Sequence, residues 1–506
     1  MSQSLYDYFA SAGITAEGME WQKKVILSKT PYPHQIADLN FLACFERSGV
    51  YSEPGTGKTL SIQGYGLYLV HFGNKIIYVM PPILIPQFKQ SLEATYVGVE
   101  KYVTVFEFNL TPEKRGKILE KWDNEGYPDI LLMSYRMFVT NYQALVDVGY
   151  SCVIVDEATA VKSPTSQVFM AVKSFVDDNS NGVVLVTGTP VDTNVEDCYG
   201  LISIVTPDAY SSVRNFEYKH MDKVLVSIAE RAPFSQITGY KNLGLLHDNL
   251  FRQARRVLKS EVVDLPPRII TEHLIRLSPK HSKLYRKIVN ERMLEIGDEL
   301  IDLTTAQSLY QAIQRVLICP ELFDDSKCDN TLLEMLDSII ESLSGRKVLV
   351  YAWFNASIDA IAERYKHLNP AVLNGKVTGD VREQNKQRFI NDDSCKMLIA
   401  NPKSGGVGVD GLQHVCSHVV YAEVCPYVGT FQQSIDRLHR NGQKSESVNI
   451  YLLVAKDTVA VKLRNNLCKK DAYQEDVVQD SRTILNDLLG VEGIVGSIDD
   501  VNYPHP

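Results

Sequence analysis

The stretch "CVIVDE", Cys152–Glu157, is apolar for four residues and then closes on two acids. Its apolar part does not alternate with polar residues and is rich in β-branched side chains, as in a strand buried on both faces of a parallel sheet. Three similar runs share the first half of the chain: "KIIYVMP" from Lys75, "DILLMS" from Asp129 and "VVLVTGT" from Val183. Four more lie in the second half: "KVLVYAW" from Lys347, "KMLIAN" from Lys396, "HVVYAEV" from His418 and "NIYLLVA" from Asn449. Longer helix-like segments separate the runs. Strands alternating with helices indicate doubly wound α/β domains. The pattern occurs twice around a largely helical interval, so two α/β lobes are expected.

The chain has 506 residues, which at roughly 100–200 residues per domain suggests two to four domains. Hydrophobic residues make up 45% and charged residues 22%, as in ordinary globular proteins. The net charge of −9 argues against a general polycation that coats nucleic acid, while leaving room for a local basic groove. Nine cysteines are scattered without a C-x-x-C pair, which gives no support to a zinc ribbon or a thioredoxin-like site and fits a reducing compartment. The opening "MSQSLYDYFASAG" lacks a basic region followed by an apolar one, so no secretory leader is expected. No uncharged apolar run is long enough to span a bilayer. A cytoplasmic location (nuclear in a eukaryote, host cytoplasm for a virus) and no membrane partner are expected.

Between Arg252 and Arg292 stand eleven Lys or Arg against four acids, a local excess of seven positive charges in an acidic chain. Beyond Asp471 the balance turns acidic, and "GVEGIVGSIDDVNYPHP" reads as a weakly structured tail.

The strongest local signal is "SEPGTGKT", Ser52–Thr59. It follows a short apolar stretch and opens a helix-like segment, the setting of a phosphate loop. Gly55 and Gly57 let backbone N–H groups face phosphate oxygens, with Thr56 between them. Lys58 would reach the β- and γ-phosphates and the Thr59 hydroxyl would hold Mg²⁺. The strict pattern G-x-x-x-x-G-K-S/T has glycine where Ser52 stands, so the match is one residue short. Asp156 and Glu157 supply its partner at a strand's carboxyl end, where ligands of open α/β sheets bind. Asp156 can hold Mg²⁺ through water, and Glu157 can orient and deprotonate the attacking water. "LVTGTPVDTN" places Thr187 and Thr189 at a similar strand end, as a relay or a simple turn. Gln35, in "YPHQIADL", has an amide able to pair with adenine. "NPKSGGVGVDGLQ" offers Lys403 and Ser404 for phosphate contact and glycines, from Gly405 on, for close backbone approach.

In "FQQSIDRLHRNGQK", Phe431, Ile435 and Leu438 form an apolar stripe if the stretch is a helix. Gln433, Arg437 and Arg440 share that spacing on nearly the opposite side, with Asn441-Gly442 as the stop. Two arginines one turn apart invite an anion.

Together and in this order, the segments resemble the superfamily 2 helicase-type motors, and within them the Swi/Snf-like DNA translocases. "VMPPILIPQFKQSLE", "LLMSYRMF", "DEATAVKSPTS", "VTGTPVDTNVEDCYGLISIVTP", "RRVLKSEVVDLPPR", "KVLVYAWFNASIDAI", "ANPKSGGVGVDGL" and "QQSIDRLHRNGQK" all have counterparts there, from about Tyr32 to about Leu463. The resemblance implies two tandem RecA-like lobes with doubly wound parallel sheets and helical protrusions between them. It would divide the chain into an ATP-binding lobe over 1–262 with an N-terminal helical segment, a helicase lobe over 263–470 with a helical insertion around 278–330, and an acidic tail over 471–506. It implies ATP and Mg²⁺ as cofactors. Lys58, Asp156, Glu157, Gln433, Arg437 and Arg440 would be the catalytic set, the two arginines acting as fingers on the γ-phosphate. Gln35 and Gly55–Thr59 would bind nucleotide, and Thr59 and Asp156 would hold the metal. Ser134, Thr187, Thr189, Arg255, Arg256, Lys403, Ser404 and Gly405 would contact DNA or couple it to hydrolysis. Two positions depart from the family pattern. Thr159 stands where histidine is usual, and near Cys425 only the proline of an aromatic-Asn-Pro is kept.

The implied activity is ATP-dependent translocation on DNA by a monomer. It would remodel duplex or fork-like DNA in replication, recombination or repair, beside proteins of those processes, in a viral or bacterial setting. Two alternatives stay open: an RNA-directed helicase of the same superfamily, and a non-hydrolysing clamp that uses ATP as a structural ligand.

Overall fold

The computed structural model describes residues 4–13, 25–101, 105–107, 112–178, 182–191, 194–226, 234–262, 264–291, 293–296, 299–302, 306–324, 328–375, 379–405 and 411–478. The chain divides at Asp264/Leu265 into two compact units.

The first unit is built on seven strands: β1 (Arg47–Val50), β2 (Lys75–Met80), β3 (Val105–Glu107), β4 (Ile130–Ser134), β5 (Tyr150–Asp156), β6 (Gly182–Val186) and β7 (Ala254–Arg255). Their order in the sheet is β7-β1-β6-β5-β2-β4-β3, and every pairing is parallel. Val153, Ile154 and Val155 are fully buried, as are Val184, Leu185 and Val186 beside them. Each such side chain contributes about 1.5–3 kcal/mol on leaving water, which is why the central strands carry unbroken apolar runs. Helices α1 (Pro33–Ala43) and α2 (Lys58–His71) frame β1 in sequence. Register aligns Val50 with Val186 and Asp156 with Val186, so β1, β6 and β5 end level with one another.

The second unit has six parallel strands: β8 (Arg268–Ile275), β9 (Val348–Tyr351), β10 (Ala371–Leu373), β11 (Met397–Ala400), β12 (His418–Tyr421) and β13 (Val448–Ala455), in the order β8-β13-β12-β9-β11-β10. Its helices include α3 (Ala306–Arg315), α4 (Asn355–Arg364), α5 (Val428–Ile435) and α6 (Val459–Val478). The fold class is thus α/β with two doubly wound parallel sheets, and all eight apolar runs are strands of those sheets.

The structure corrects three expectations. The interval is not largely helical: Met221–Val226 pairs antiparallel with Phe234–Tyr240, and Met293–Ile296 with Glu299–Asp302. The second hairpin had a signal, because Gly297-Asp298 separates its strands in the sequence. The acidic tail does not begin at 471, since α6 runs to Val478; residues 479–506 lie outside the described residues. The third correction concerns "FQQSIDRLHRNGQK", whose helix stops at Ile435. The N–H groups of Arg437 and Leu438 reach back three residues, to Ser434 and Ile435, tightening the chain into turns. Ser434 Oγ also donates to the Phe431 carbonyl at 2.8 Å, a back-bond that bends helices. The apolar stripe survives, with Phe431, Ile435 and Leu438 buried.

The nine cysteines are free thiols, seven of them buried. No helix among the described residues is long and apolar enough to cross a membrane.

Candidate functional site

The loop after β1 turns into α2 through Gly57, which has a left-handed backbone (φ 85°) as the N-cap. A Cβ there would lie 2.3 Å from Gln35 Nε2, so only glycine fits. Gln35 is buried, and both ends of its amide are engaged: Oε1 accepts from Tyr32 N–H at 2.8 Å and Nε2 donates to the Gly57 carbonyl at 3.0 Å. His34 Nε2 donates to the Thr56 carbonyl at 2.7 Å, and Thr56 Oγ1 donates to the Glu53 carbonyl at 2.8 Å. Lys58 Nζ donates to the carbonyls of Ser52 and Glu53 at 2.7 and 3.1 Å. The loop is thereby wrapped around its own lysine, and the start of α1 clamps it from outside.

Asp156 ends β5, two strands from β1. Its Oδ1 accepts from the Glu157 N–H at 2.9 Å. Burial, with Glu157 alongside, holds the Asp156 carboxyl well above the usual carboxylate range, and the Lys58 amine pulls it back down. That opposition ties the loop lysine electrostatically to the acid. Glu157 has a left-handed backbone (φ 51°), uncommon for a residue with a side chain. Tyr135 secures this turn, its Oη donating to the Asp156 carbonyl at 2.5 Å and the Glu157 carbonyl at 3.0 Å. Burial and the two neighbouring acids push the Tyr135 phenol well above its ordinary range, so it stays a donor. Nothing in the sequence reading pointed to Tyr135.

Between loop and acids lies the end of β6. Thr187 N–H donates to the Val50 carbonyl at 3.1 Å, and Thr187 Oγ1 accepts from Thr189 N–H at 3.1 Å. Both threonines are buried. A Cβ on Gly188 would stand 2.6 Å from Pro54 Cγ, so this turn packs directly on the Ser52–Thr59 loop. Ser134 is buried at the end of β4, on the far side of β2.

Arg255 and Arg256, read as DNA-contacting or coupling residues, are engaged inside the first unit. Arg255 Nε donates to buried Asp38 Oδ1 at 2.9 Å, while Ser61 Oγ donates to the other oxygen at 3.1 Å. Arg256 Nη1 donates to the Tyr51 carbonyl at 2.6 Å. Their segment also holds the loop by its backbone: Val257 N–H donates to Ser52 Oγ at 3.1 Å and Lys259 N–H to Glu53 Oε2 at 2.6 Å. Ser52, the departure from the strict glycine pattern, therefore has its own acceptor role.

In the second unit Gln433 lies on α5, whereas Arg437 and Arg440 lie in the turns after it, all three half-buried. Arg437 is near enough to Tyr351 to oppose the rise that burial imposes on that phenol. Lys403 is exposed after β11. The side chain of Ser404, Gly405 beyond its backbone, and the glycines at 406 and 408 lie outside the described residues. Elsewhere the basic interval does present charge. The helix Pro279–Glu291 buries Leu284, Tyr285 and Ile288 and exposes Lys280, Lys283, Arg286 and Lys287.

The first-unit edge fits a magnesium nucleotide. Gly57 leaves a cradle that a Cβ would fill, Lys58 supplies a cation, and Thr59 and Asp156 supply hard oxygen donors of the kind Mg²⁺ takes.

Comparison with known proteins agrees with this geometry. Residues 34–320 match the family model of the SNF2-related domain, and residues 331–442 match that of the helicase conserved C-terminal domain. The chain is 24% identical over 459 residues to an uncharacterized ATP-dependent helicase of Mycoplasma pneumoniae, covering 87% of this chain and 40% of that protein. It is 22% identical over 482 residues to the ISWI chromatin-remodeling complex ATPase ISW1 of Saccharomyces cerevisiae, covering 90% of this chain and 41% of that one. The chain thus spans about two-fifths of the length of these relatives. Among solved structures, the Sulfolobus solfataricus SWI2/SNF2 ATPase core in complex with dsDNA aligns with a TM-score of 0.40 at 19% identity, covering 89% of this chain and 93% of that one.

Proposed function

The chain belongs to the SNF2-related domain family, and from that premise we propose that it hydrolyses ATP and uses the cycle to move along DNA. The observation that carries the proposal is that the Lys58 amine, at the start of α2, lies near enough to the Asp156 carboxyl to favour its charged form, beside strands β1, β6 and β5 that end level in one parallel sheet. Bound there, ATP·Mg²⁺ would supply the phosphoanhydride and the metal charge that offsets its phosphates. Lys58 and the amides of Gly55–Thr59 would bind those phosphates. Thr59 and Asp156 would hold the metal. Glu157, fixed by Tyr135, would orient water and take its proton. Gln35 would contact adenine only by exchanging one of its backbone partners. Arg437 and Arg440 would contribute positive charge, and Gln433 a neutral amide donor, from the second unit during transfer.

DNA is the proposed track, held by its backbone with strong salt dependence. Lys280, Lys283, Arg286 and Lys287 are candidate phosphate contacts, and Lys403 is another. Remodelling of duplex or forked DNA in replication, recombination or repair is the proposed setting.

Phosphate release, measured without nucleic acid and with single-stranded DNA, linear duplex, forked duplex and matched RNA, tests the reading. Stimulation by duplex or fork that is lost in Lys58→Ala and Arg440→Ala is expected. ATP binding without hydrolysis under every condition would overturn it.

A further inference from the structure

The C-terminal edge of the second sheet carries aromatic groups that this chemistry does not use. Trp353 follows β9, Lys403 follows β11 and Tyr427 follows β12. Because β9 lies between β11 and β12, three adjacent parallel strands deliver these residues to one place. The Trp353 and Tyr427 rings are 5.5 Å apart, centroid to centroid, and inclined at 42°. Lys403 Nζ stands 4.5 Å from the Tyr427 centroid and 5.4 Å from that of Trp353. Lys403 is exposed and forms no ion pair among the described residues; both rings are half-buried. Tyr310, exposed on α3, lies in the neighbourhood of Tyr427.

This group is held in place by side chains from the neighbouring strand ends. Buried Glu423 accepts from the N–H groups of Trp353 and Phe354 at 2.5 and 3.2 Å and from Ser357 Oγ at 2.6 Å. Asn401 Nδ2 donates to the Trp353 carbonyl at 2.5 Å, and Asn401 Oδ1 accepts from the Lys403 N–H at 2.9 Å. Both backbone polar groups of Trp353 are thus fixed from two strands. Sites whose supporting groups are locked in this way are preorganised for a ligand.

Two half-buried aromatic rings under an ammonium that forms no ion pair among the described residues suit a flat ring attached to an anion, whose charge would draw the lysine off the rings. A nucleobase with its phosphate has that chemistry, since bases stack on aromatic rings while lysine meets the backbone. Inside a duplex the faces of a base are covered by its neighbours, so the ligand must be unpaired. We propose that Trp353, Tyr427 and Lys403 form a stacking site for an unpaired base of single-stranded nucleic acid. The site deepens the DNA-motor reading: it would let the chain sense the single-stranded part of a branched substrate. Its identity as a base-stacking site does not depend on hydrolysis.

The test is therefore a binding experiment on the full chain without ATP. Labelled oligothymidylate, an abasic strand of equal length, oligouridylate and linear duplex are titrated by fluorescence anisotropy. Oligothymidylate should bind on the order of tenfold more tightly than the abasic strand, which keeps the phosphates and loses the bases. Trp353→Ala and Tyr427→Leu should each remove most of that preference, and Trp353→Phe should restore much of it. Lys403→Gln should weaken both strands alike and lower the salt slope by about 0.7. Thermal unfolding of each variant shows that the fold persists. Equal affinity of the intact protein for thymidylate and abasic strands would overturn the site, whatever phosphate release shows. So would a base preference unchanged in folded Trp353→Ala and Tyr427→Leu. Preference for oligouridylate would keep the site and redirect it to RNA, and loss of ATPase with base preference intact would overturn the motor alone.

Discussion

The two units end their central strands in the same way and do different things with a buried acid there. In the first, Asp156 stands at the end of β5 with one backbone donor on its carboxylate among the described residues, near a lysine and beside a second acid. In the second, Glu423 stands two residues past β12 and is more fully engaged, with two amide donors on one oxygen and a hydroxyl on the other. Burial raises both carboxyl groups, Glu423 to about 7. A buried carboxyl with spare oxygen lone pairs can serve a ligand, whereas one whose lone pairs are taken up by the start of α4 serves the fold. The same strand-end geometry thus yields the proposed reactive edge in one unit and a rigid aromatic edge in the other.

The largest test of that contrast is paired. Asp156→Asn should reduce ATP hydrolysis by on the order of 10³-fold, the scale of losing one preorganised electrostatic group. Glu423→Gln, which keeps an acceptor for the amides, should change it far less. Equal losses in phosphate-release assays would mean that the two acids do not differ in role.

Glu423→Ala sharpens the structural half. It strands two helix-start amides and a buried hydroxyl, at a cost of about 2–3 kcal/mol in unfolding free energy. Glu423→Gln probes its charge. The ordinary value is 4.5 and the folded value about 7, set first by burial and opposed by Ser357, the two amides and Arg315. Between those values the folded chain keeps a proton that the unfolded chain has lost. The stability from this group is therefore complete below pH 4.5 and is lost as pH rises through about 7. Unfolding of Glu423→Gln should lack this component, so the variant gains on the parent protein across that window. Parallel pH profiles would remove Glu423 as a titrating group.

Gly57→Ala tests the cradle. It combines a positive φ with a Cβ 2.3 Å from Gln35 Nε2, so about 1–3 kcal/mol of strain is expected. Nucleotide affinity should fall with it, because relieving the clash moves the amide that clamps the loop. A variant as stable as the parent, by denaturant titration, would show that Gln35 does not hold the loop.

Much of this was legible before the coordinates. The eight apolar runs announced the two sheets because strands buried on both faces have little choice but Val, Ile and Leu. The short strands β3, β7 and β10 and the edge strand β8, whose apolar residues are interrupted by Thr271, Glu272 and His273, left weaker traces. "SEPGTGKT" and "DE" stood out in the sequence because phosphate and metal chemistry would dictate residue types at fixed spacing, and the structure places them at strand ends of the first sheet. Other partnerships were invisible for the opposite reason. Arg255 with Asp38 spans 217 positions and Trp353 with Glu423 spans 70, and no local spacing rule connects such residues. The early end of α5 coincides with a serine back-bond, which periodicity alone does not register.

The smallest effect concerns Tyr135, whose hydroxyl holds the carbonyls of Asp156 and Glu157 together. Tyr135→Phe removes that donor and little else, for about 1 kcal/mol of stability. The consequence for chemistry is sharper than the consequence for folding. Glu157 keeps a left-handed backbone that a side chain resists, and the phenol is among the contacts that hold it there. If Glu157 orients the attacking water, kcat should fall severalfold while KM for ATP stays near the parent value, since the substitution leaves Lys58 and the loop amides in place. A rise in KM with unchanged kcat would instead place Tyr135 in nucleotide binding, and would weaken the case that the turn after β5 is the reactive element of the first unit.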